Sequence, residues 1–385
     1  MPKHDRPLRL CLYAPLIWPL WSGGKLKFSG GAEVQQAAIA RGLAALGVDV
    51  TVVTCDFGQP SPTIVEGVRV LKTYRLDAGV PVMRFFHPRM SLALAALRRA
   101  DADVYYARGA TLEAGIAYLG AQLMGRPFVF GAAHEHDAHR SLPEIPNPRD
   151  QFFYRRALRG ARAVIAQTEV QKRLFREQFD VDSLVIRNMV SIPERTALPA
   201  ESETIVWVAT YKASKRPLWF VEAARALPHR KFVMCGVVPQ PPDSTDIWDR
   251  CRAAADELPN LEVRGFLERH EVSQLLSSAA LFVHTSPAEG FPNTVLEAWA
   301  HGLPTLCCTD PDGIVATERL GAIATDPAAL IRLVEEWSVD RTLRAETGAR
   351  ALAYVGRAHE SGSVLRQLRS LFESLAGPGA RLPDS

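Results

Sequence analysis

A chain of 385 residues exceeds what one hydrophobic core usually supports, so the length predicts two domains. The apolar fraction of 47% is ordinary for a globular protein and argues against a disordered or fibrous chain. No apolar run approaches the ~20 residues that a membrane-spanning helix needs. The N-terminal apolar run is short and continues as a strand, which argues against a signal peptide. The six cysteines show neither CxxC nor zinc-type spacing, which favours free thiols in a reducing, cytoplasmic compartment.

The charge is uneven along the chain. Residues 1–192 carry 25 Lys and Arg against 17 Asp and Glu, whereas residues 193–385 carry 20 against 25. A basic first half favours an anionic partner on that side, such as a phosphorylated acceptor or the inner face of an anionic membrane contacted peripherally. A solvated surface explains the same excess. No nucleic acid partner is expected.

Strands and helices alternate through the first half, which is the pattern of repeated βαβ units in a parallel sheet. Strands are predicted at 8–15, 48–54, 68–74, 103–108 and 127–131, and helices at 32–47, 90–101, 112–125 and 169–179. The segment 184–190 closes the first domain. The segment 148–168 predicts a basic helix with aromatic residues and, at its end, a strand. That helix either lies at a membrane surface or packs on the sheet with its arginines extended to solvent.

The segment 191–203 is rich in Pro, Ser and Glu and is the best linker candidate in the chain. It separates a first domain at 1–192 from a second at 203–360. The second domain is predicted to contain strands at 204–210, 231–238 and 261–267 and helices at 218–228 and 270–280. A last helix at about 363–376 is expected to return to the first domain, and a frayed tail is expected to follow it.

The segment 281–309 predicts one strand–loop–helix–strand unit of a parallel sheet, with strands at 281–285 and 305–309. Its loop carries Glu289 at the carboxyl end of a strand, where such sheets bind ligands. Glu289 is either a site residue or a solvated loop charge. Asn293 or Thr294 caps the helix, and Thr294-x-x-Glu297 fits a capping box.

The sequence EGFPNTVLEAWAHGLPTL in this unit resembles the Glu-x7-Glu signature of retaining glycosyltransferases of the GT-B fold, family 4 in particular. The resemblance implies two Rossmann-like parallel-sheet domains with a nucleotide-sugar in the cleft between them. It assigns Glu289 to the hydroxyls of the donor sugar and Glu297 to the ribose. The diphosphate would lie on the backbone that follows Glu289, at the start of the helix. The residues of that stretch are Gly290, Phe291, Pro292, Asn293 and Thr294.

Two features of the first half extend the resemblance. Gly30 and Gly31 stand in the family's GGAE position and would let the backbone approach the diphosphate and acceptor, unless they are only turn glycines. They fit a nicotinamide fingerprint poorly, because the loop is not GxGxxG. The family commonly places a histidine after the strand 127–131 against the donor sugar, which implies a catalytic role for His134, with His136 as the rival.

The loop 211–217 matches the family's phosphate-binding stretch in part. Lys215 stands where the family has a lysine, but the usual arginine five residues earlier is Thr210, so Lys212 or Arg216 would have to supply its charge. The turn that contains Phe266 and Leu267 resembles the edge that binds the nucleotide base.

By this resemblance the chain moves a sugar from a UDP- or GDP-sugar to the hydroxyl of a saccharide or lipid-linked acceptor, in bacterial cell-surface polysaccharide or glycolipid assembly. A nucleotide-sugar epimerase of the same fold and a non-catalytic nucleotide-sugar-binding subunit remain open. No metal cofactor is expected. Asp101-x-Asp103 falls at the amino end of a strand, and turn chemistry explains Asp310-x-Asp312 without a metal.

Overall fold

The chain divides into two units, which are Met1–Asn188 with Ser361–Ser385, and Met189–Glu360. The computed structural model describes residues 6–23, 30–80, 83–194, 202–239 and 246–377. Most of the predicted glycine-rich loop 22–31, half of the linker 191–203 and almost all of the tail 377–385 lie outside these residues. None of the described helices is long and apolar enough to cross a bilayer.

The first unit contains a sheet whose strands are parallel except at one edge, where β3 runs antiparallel to β4. Its described strands are β1 Arg9–Tyr13, β2 Asp49–Thr54, β3 Thr63–Val65, β4 Val68–Lys72, β5 Val104–Arg108, β6 Phe128–Gly131, β7 Ala163–Ala166 and β8 Leu184–Val185, in the spatial order β3-β4-β2-β1-β5-β6-β7-β8. Central strands such as β1 are buried on both faces, as parallel sheets require. Within the segment 184–190, the strand β8 comprises two residues, Leu184 and Val185.

Helices connect the parallel strands of the first unit. They are α1 Gly31–Ala45, α2 Ser91–Ala100, α3 Leu112–Leu123, α4 Pro148–Gly160 and α5 Glu169–Phe179. Side-chain caps define several of their starts: Thr111 accepts from the backbone N–H of Ala114 at α3, and Thr168 accepts from Gln171 at α5. The sequence pattern located all five helices.

The second unit repeats the architecture with a smaller, all-parallel sheet. Its described strands are β9 Thr204–Val208, β10 Lys231–Cys235, β11 Leu261–Val263, β12 Leu281–His284, β13 Thr305–Cys307 and β14 Gly321–Ile323, in the order β11-β10-β9-β12-β13-β14. Its helices are α6 Pro217–Ala226, α7 Ile247–Glu257, α8 Arg269–Ser277, α9 Asn293–Ala300, α10 Ile314–Thr317, α11 Pro327–Val339 and α12 Arg341–Ala358. The prediction of two parallel-sheet α/β domains is confirmed.

The last helix, α13 at Ser361–Ala376, packs within the first unit. A Cβ atom on Gly42 of α1 would lie 2.3 Å from a methyl carbon of Leu365, so glycine permits the close approach of α1 and α13. The Phe372 ring meets the Tyr106 ring of β5 edge-on, with centroids 5.8 Å apart.

Candidate functional site

The order of the second sheet reverses between β9 and β12. The chain runs from β9 through β10 to β11 on one side, and from β12 through β13 to β14 on the other. Parallel α/β sheets bind ligands outside the carboxyl ends of the strands at such a reversal. The loops that follow β9 and β12 lie there, and each leads into the N-terminus of a helix, α6 and α9 respectively.

The carboxylate of Glu289 is the centre of a charged cluster at this point. Its Oε1 accepts a hydrogen bond from the ammonium of Lys215, in the loop after β9. The imidazole Nε2 of His284, the last residue of β12, lies 3.6 Å from the same oxygen. The Glu289 side chain is 13% exposed, so the contacts are largely shielded from water. Sequence reasoning named Glu289 and Lys215 but missed His284.

These contacts determine the charge of Glu289. Burial raises the pKa of this carboxyl, but the adjacent His284 imidazole and the Lys215 ammonium outweigh burial and hold the pKa well below its usual range. Glu289 is therefore ionised at neutral pH. It acts as a hydrogen-bond acceptor and not as a donor.

Thr285 fixes the Lys215 loop to the sheet. Its hydroxyl donates to the backbone oxygen of Lys215 at 2.5 Å and accepts from the indole Nε1 of Trp207 in β9 at 2.9 Å. All three groups are buried or half-buried. Thr285 was not predicted as a site residue, although the sequence shows the polar pair His284–Thr285 at the end of an apolar strand.

The predicted capping of α9 is wrong. The N-cap residue is Pro292, and no side chain caps the helix. Thr294 is already the second residue of the helix, so its hydroxyl cannot act as an N-cap, and Thr294-x-x-Glu297 forms no capping box. The N-cap residue of α9 therefore makes no side-chain hydrogen bond to the helix. The Phe291 ring is buried and contacts the rings of Trp299 and His359, so the backbone of Phe291, and not its side chain, faces the N-terminus of α9.

Glu297 lies one turn further along α9 and is half-buried. Arg269, the first residue of α8, donates to its Oε1 at 3.5 Å. Burial raises the pKa of Glu297, and the Arg269 charge opposes the rise. Phe266 and Leu267 are half-buried and are followed by Glu268, the N-cap residue of α8.

Arg216 follows Lys215 directly and adopts a left-handed backbone with φ 46° before α6 begins. Its guanidinium stacks on the Trp219 ring, 4.7 Å from the centroid. As with α9, no side chain caps α6. Thr210 supplies no charge, so Lys212, Lys215 and Arg216 are the cations of this loop.

The remaining candidates belong to the first unit. Gly30 is the N-cap of α1 and Gly31 its first residue, at the carboxyl side of β1. Residues 24–29 of their loop lie outside the described part of the chain.

His134 begins a short helical turn after β6, and its Nδ1 accepts the backbone N–H of His136 at 3.1 Å. This places the proton of a neutral His134 on Nε2. Asp137 completes a capping box by accepting from the backbone N–H of His134 at 3.1 Å. His136 instead contacts Glu144 at 3.2 Å. The backbone of this half-buried turn thus orients His134, and the roles of both histidines stay predictions.

The two Asp-x-Asp pairs are engaged in structural contacts. Asp103 accepts from Arg6 at 2.9 Å, and Asp101 is ion-paired with Arg9. Asp310 accepts from the backbone N–H of Val315 at 2.7 Å, at the start of α10. Within the described residues no group of three or more His, Cys, Asp or Glu is arranged to hold a metal ion.

Comparisons with known proteins relate both units to glycosyltransferases. A protein-family model described as "Glycosyl transferase 4-like domain" matches residues 30–188, and one described as "Glycosyl transferases group 1" matches residues 202–339. The chain is 27% identical over 313 residues to the glycosyltransferase TuaC of Bacillus subtilis (strain 168), named for teichuronic acid biosynthesis, covering 70% of this chain and 74% of TuaC.

Solved structures share the fold over almost the whole chain. Sucrose-phosphate synthase from Thermosynechococcus elongatus superposes with a TM-score of 0.75 at 15% identity, covering 96% of this chain and 99% of that one. Anabaena HepE in complex with UDP-glucose superposes with a TM-score of 0.74 at 16% identity, covering 95% and 99%. This chain is a glycosyltransferase of the GT-B type. In the transferase, the Glu289 cluster lies in the group 1 domain, and Gly30, Gly31 and His134 lie in the 4-like domain.

Proposed function

We propose that the transferase moves a sugar from a nucleotide-diphosphate sugar to a hydroxyl of a saccharide or lipid-linked acceptor, with retention of configuration and without a metal ion. The main observation in support is the ionised Glu289 carboxylate, which is paired with Lys215 near the N-termini of α6 and α9. A UDP-sugar donor is supported by the UDP-glucose bound to the similar HepE. Cell-surface polysaccharide assembly is supported by the name of TuaC.

The two oxygens of Glu289 have different surroundings. Within the described part of the chain, the hydrogen-bond and ion-pair contacts of this side chain are all made by Oε1, with Lys215 and His284. Oε2 is therefore the oxygen available to accept from the hydroxyls of the donor sugar. A carboxylate held by one oxygen presents the other in a defined direction, which favours the binding of one sugar geometry.

The charge of the diphosphate requires compensation. The Lys215 ammonium has three N–H donors and uses one on Glu289, so two remain for phosphate oxygens. The N-termini of α6 and α9 lie on the same side and carry no side-chain caps. Each N-terminus stabilises an anion by ~0.3–1 kcal/mol, and up to ~2 kcal/mol when partly buried. Together with Arg216, these groups support departure of the diphosphate without a metal.

In the proposed reaction the acceptor oxygen forms a bond to the anomeric carbon on the face from which the diphosphate oxygen departs. The acceptor hydroxyl proton passes to the leaving diphosphate, so no protein nucleophile is needed. The protein positions the reactants and stabilises the charge that develops on the leaving group. Glu297 would hold the ribose, and the Phe266–Leu267 turn would lie against the base.

A two-stage experiment tests the proposal. Thermal unfolding is first measured with a panel of UDP- and GDP-sugars, because a ligand at 100 times its Kd stabilises the fold by ~2.7 kcal/mol. The stabilising donor is then incubated with a panel of saccharide and lipid-linked acceptors, and NMR determines the anomeric configuration of the product. An inverted product, or stabilisation by none of the donors, would contradict the proposal. An incubation without acceptor is the control, since an epimerase would change the donor there.

A further inference from the structure

A chain of four phenylalanine rings crosses the surface of the first unit. The rings of Phe86 and Phe85 are 5.0 Å apart between centroids, those of Phe85 and Phe153 5.7 Å, and those of Phe153 and Phe152 5.8 Å. The inner rings are buried or half-buried, whereas Phe86 is 62% exposed and Phe152 is 64% exposed. The two ends of the chain therefore present aromatic surface to the outside. Met83, next to this chain, is also exposed.

Arginines surround the exposed rings. On α4 the exposed residues Arg149, Phe152, Arg156 and Arg159 recur at helical spacing and share one face of the helix. The guanidinium of Arg149 stacks on Phe85, 3.9 Å from the ring centroid. Within the described part of the chain Arg156 and Arg159 have no carboxylate partner.

The neighbouring segment 83–99 also carries an excess of positive charge. Arg84, Arg98 and Arg99 are exposed, and among the described residues none of them pairs with an acid. The segments 83–99 and 148–160 together contain eight arginines and one acid, Asp150, which is bonded to Arg149. The helices α2, α3 and α4 contact each other in sequence, so these segments form one continuous layer.

We propose that the face formed by Met83, Arg84, Phe86, Phe152, Arg156 and Arg159 docks on an anionic phospholipid bilayer. Exposed aromatic rings of this kind insert at the boundary between headgroups and acyl chains, and arginines without acidic partners are attracted to anionic headgroups. Asp150 is the one acid in the segments 83–99 and 148–160 and is bonded to Arg149, so these segments carry little negative charge that would repel the headgroups. The inference is independent of the proposed transfer reaction, because it rests on a different surface.

Vesicle co-sedimentation of the full chain, without donor, tests the proposal. Vesicles of phosphatidylcholine with one-third phosphatidylglycerol should bind the protein, and phosphatidylcholine alone should not. Binding should weaken between about 0.1 M and 1 M salt, as the screening length falls from about 10 to about 3 Å. Arg84→Ser/Arg156→Ser/Arg159→Ser should lower the partition coefficient roughly 100-fold, about fivefold per arginine. Phe86→Ser/Phe152→Ser should weaken binding at both salt concentrations.

Matched variants remove two exposed apolar side chains or three charges elsewhere. Ile64→Ser/Val339→Ser removes two side chains that are 66% and 63% exposed, and Arg225→Ser/Arg250→Ser/Arg252→Ser removes three charges from the second unit. Both should bind the anionic vesicles as the parent chain does. Equal binding to neutral vesicles, binding to neither, or equal losses in the matched variants would overturn the proposal. So would a dimer in sedimentation velocity that Phe86→Ser/Phe152→Ser abolishes, since the face would then join two copies of the chain.

Discussion

The ion pair between Lys215 and Glu289 joins two loops that are 74 residues apart in the chain, and its strength can be measured with a double-mutant cycle. The cycle compares Lys215→Met, Glu289→Gln and the double variant. Exposed ion pairs contribute ~0.2–1 kcal/mol because water screens them. Here the two side chains are only 25% and 13% exposed. A hydrogen bond to a charged group contributes ~1.5–3 kcal/mol, so we expect a coupling energy of about 1.5–3 kcal/mol.

Urea unfolding at neutral pH, followed by tryptophan fluorescence, provides the free energies. Five of the seven tryptophans lie in the second unit, so the signal reports mainly on the unit that holds the pair. A parallel cycle between Lys212 and Glu289 is the control, because Lys212 is in the same loop and makes no described contact with Glu289. A Lys215–Glu289 coupling below ~0.5 kcal/mol, or one equal to the control, would refute the description of the site.

The same pair predicts a pH dependence. The pKa of Glu289 lies below its ordinary value of 4.5, so the unfolded chain binds this proton more readily than the folded one. The stabilisation is complete above about pH 4.5 and is lost as the pH falls from there through the lower folded pKa. Glu289→Gln should remove this part of the acid sensitivity. If the free energy of unfolding of the parent and the variant fell equally with pH below 4.5, the lowered pKa of Glu289 would be contradicted.

Four further predictions address single roles. Glu289→Ala should abolish sugar transfer while circular dichroism shows a folded chain, and an active variant would remove its assignment to the sugar. Glu297→Gln should change stability little, because no cap contact is lost, but should weaken nucleotide binding in calorimetry; unchanged affinity would exclude the ribose role. Sugar transfer should continue in the presence of EDTA. The metal-free mechanism would be contradicted if EDTA abolished transfer, Mg²⁺ or Mn²⁺ restored it, and Asp312→Ala showed no such restoration. Gly236→Ala should destabilise the second unit in urea by more than ~1 kcal/mol, because its Cβ would lie 1.7 Å from the Ala209 carbonyl oxygen; an unchanged midpoint would be inconsistent with that contact.

Local patterns predicted the elements and missed several boundaries. The alternation of apolar strands with helices of helical periodicity located β12, α9 and β13, since each signal depends only on residues close in sequence. The start of α9 was misplaced because Asn293 and Thr294 are favourable caps by type, whereas the chain turns at Pro292. The helix α7 was not predicted, because its apolar face is narrow and charged residues surround it.

The sequence by itself determined that Glu289 follows a strand and precedes a helix, because strand, loop and helix are contiguous and their signals are local. Only the tertiary structure brought Lys215 and His284 to its carboxylate. That meeting depends on β9 and β12 becoming neighbours, with Ile205 paired to Leu281. The phenylalanine chain likewise joins residues 85–86 to 152–153 across packed helices. Contacts between distant segments follow from strand order and helix packing, which the hydrophobic pattern of each segment does not encode.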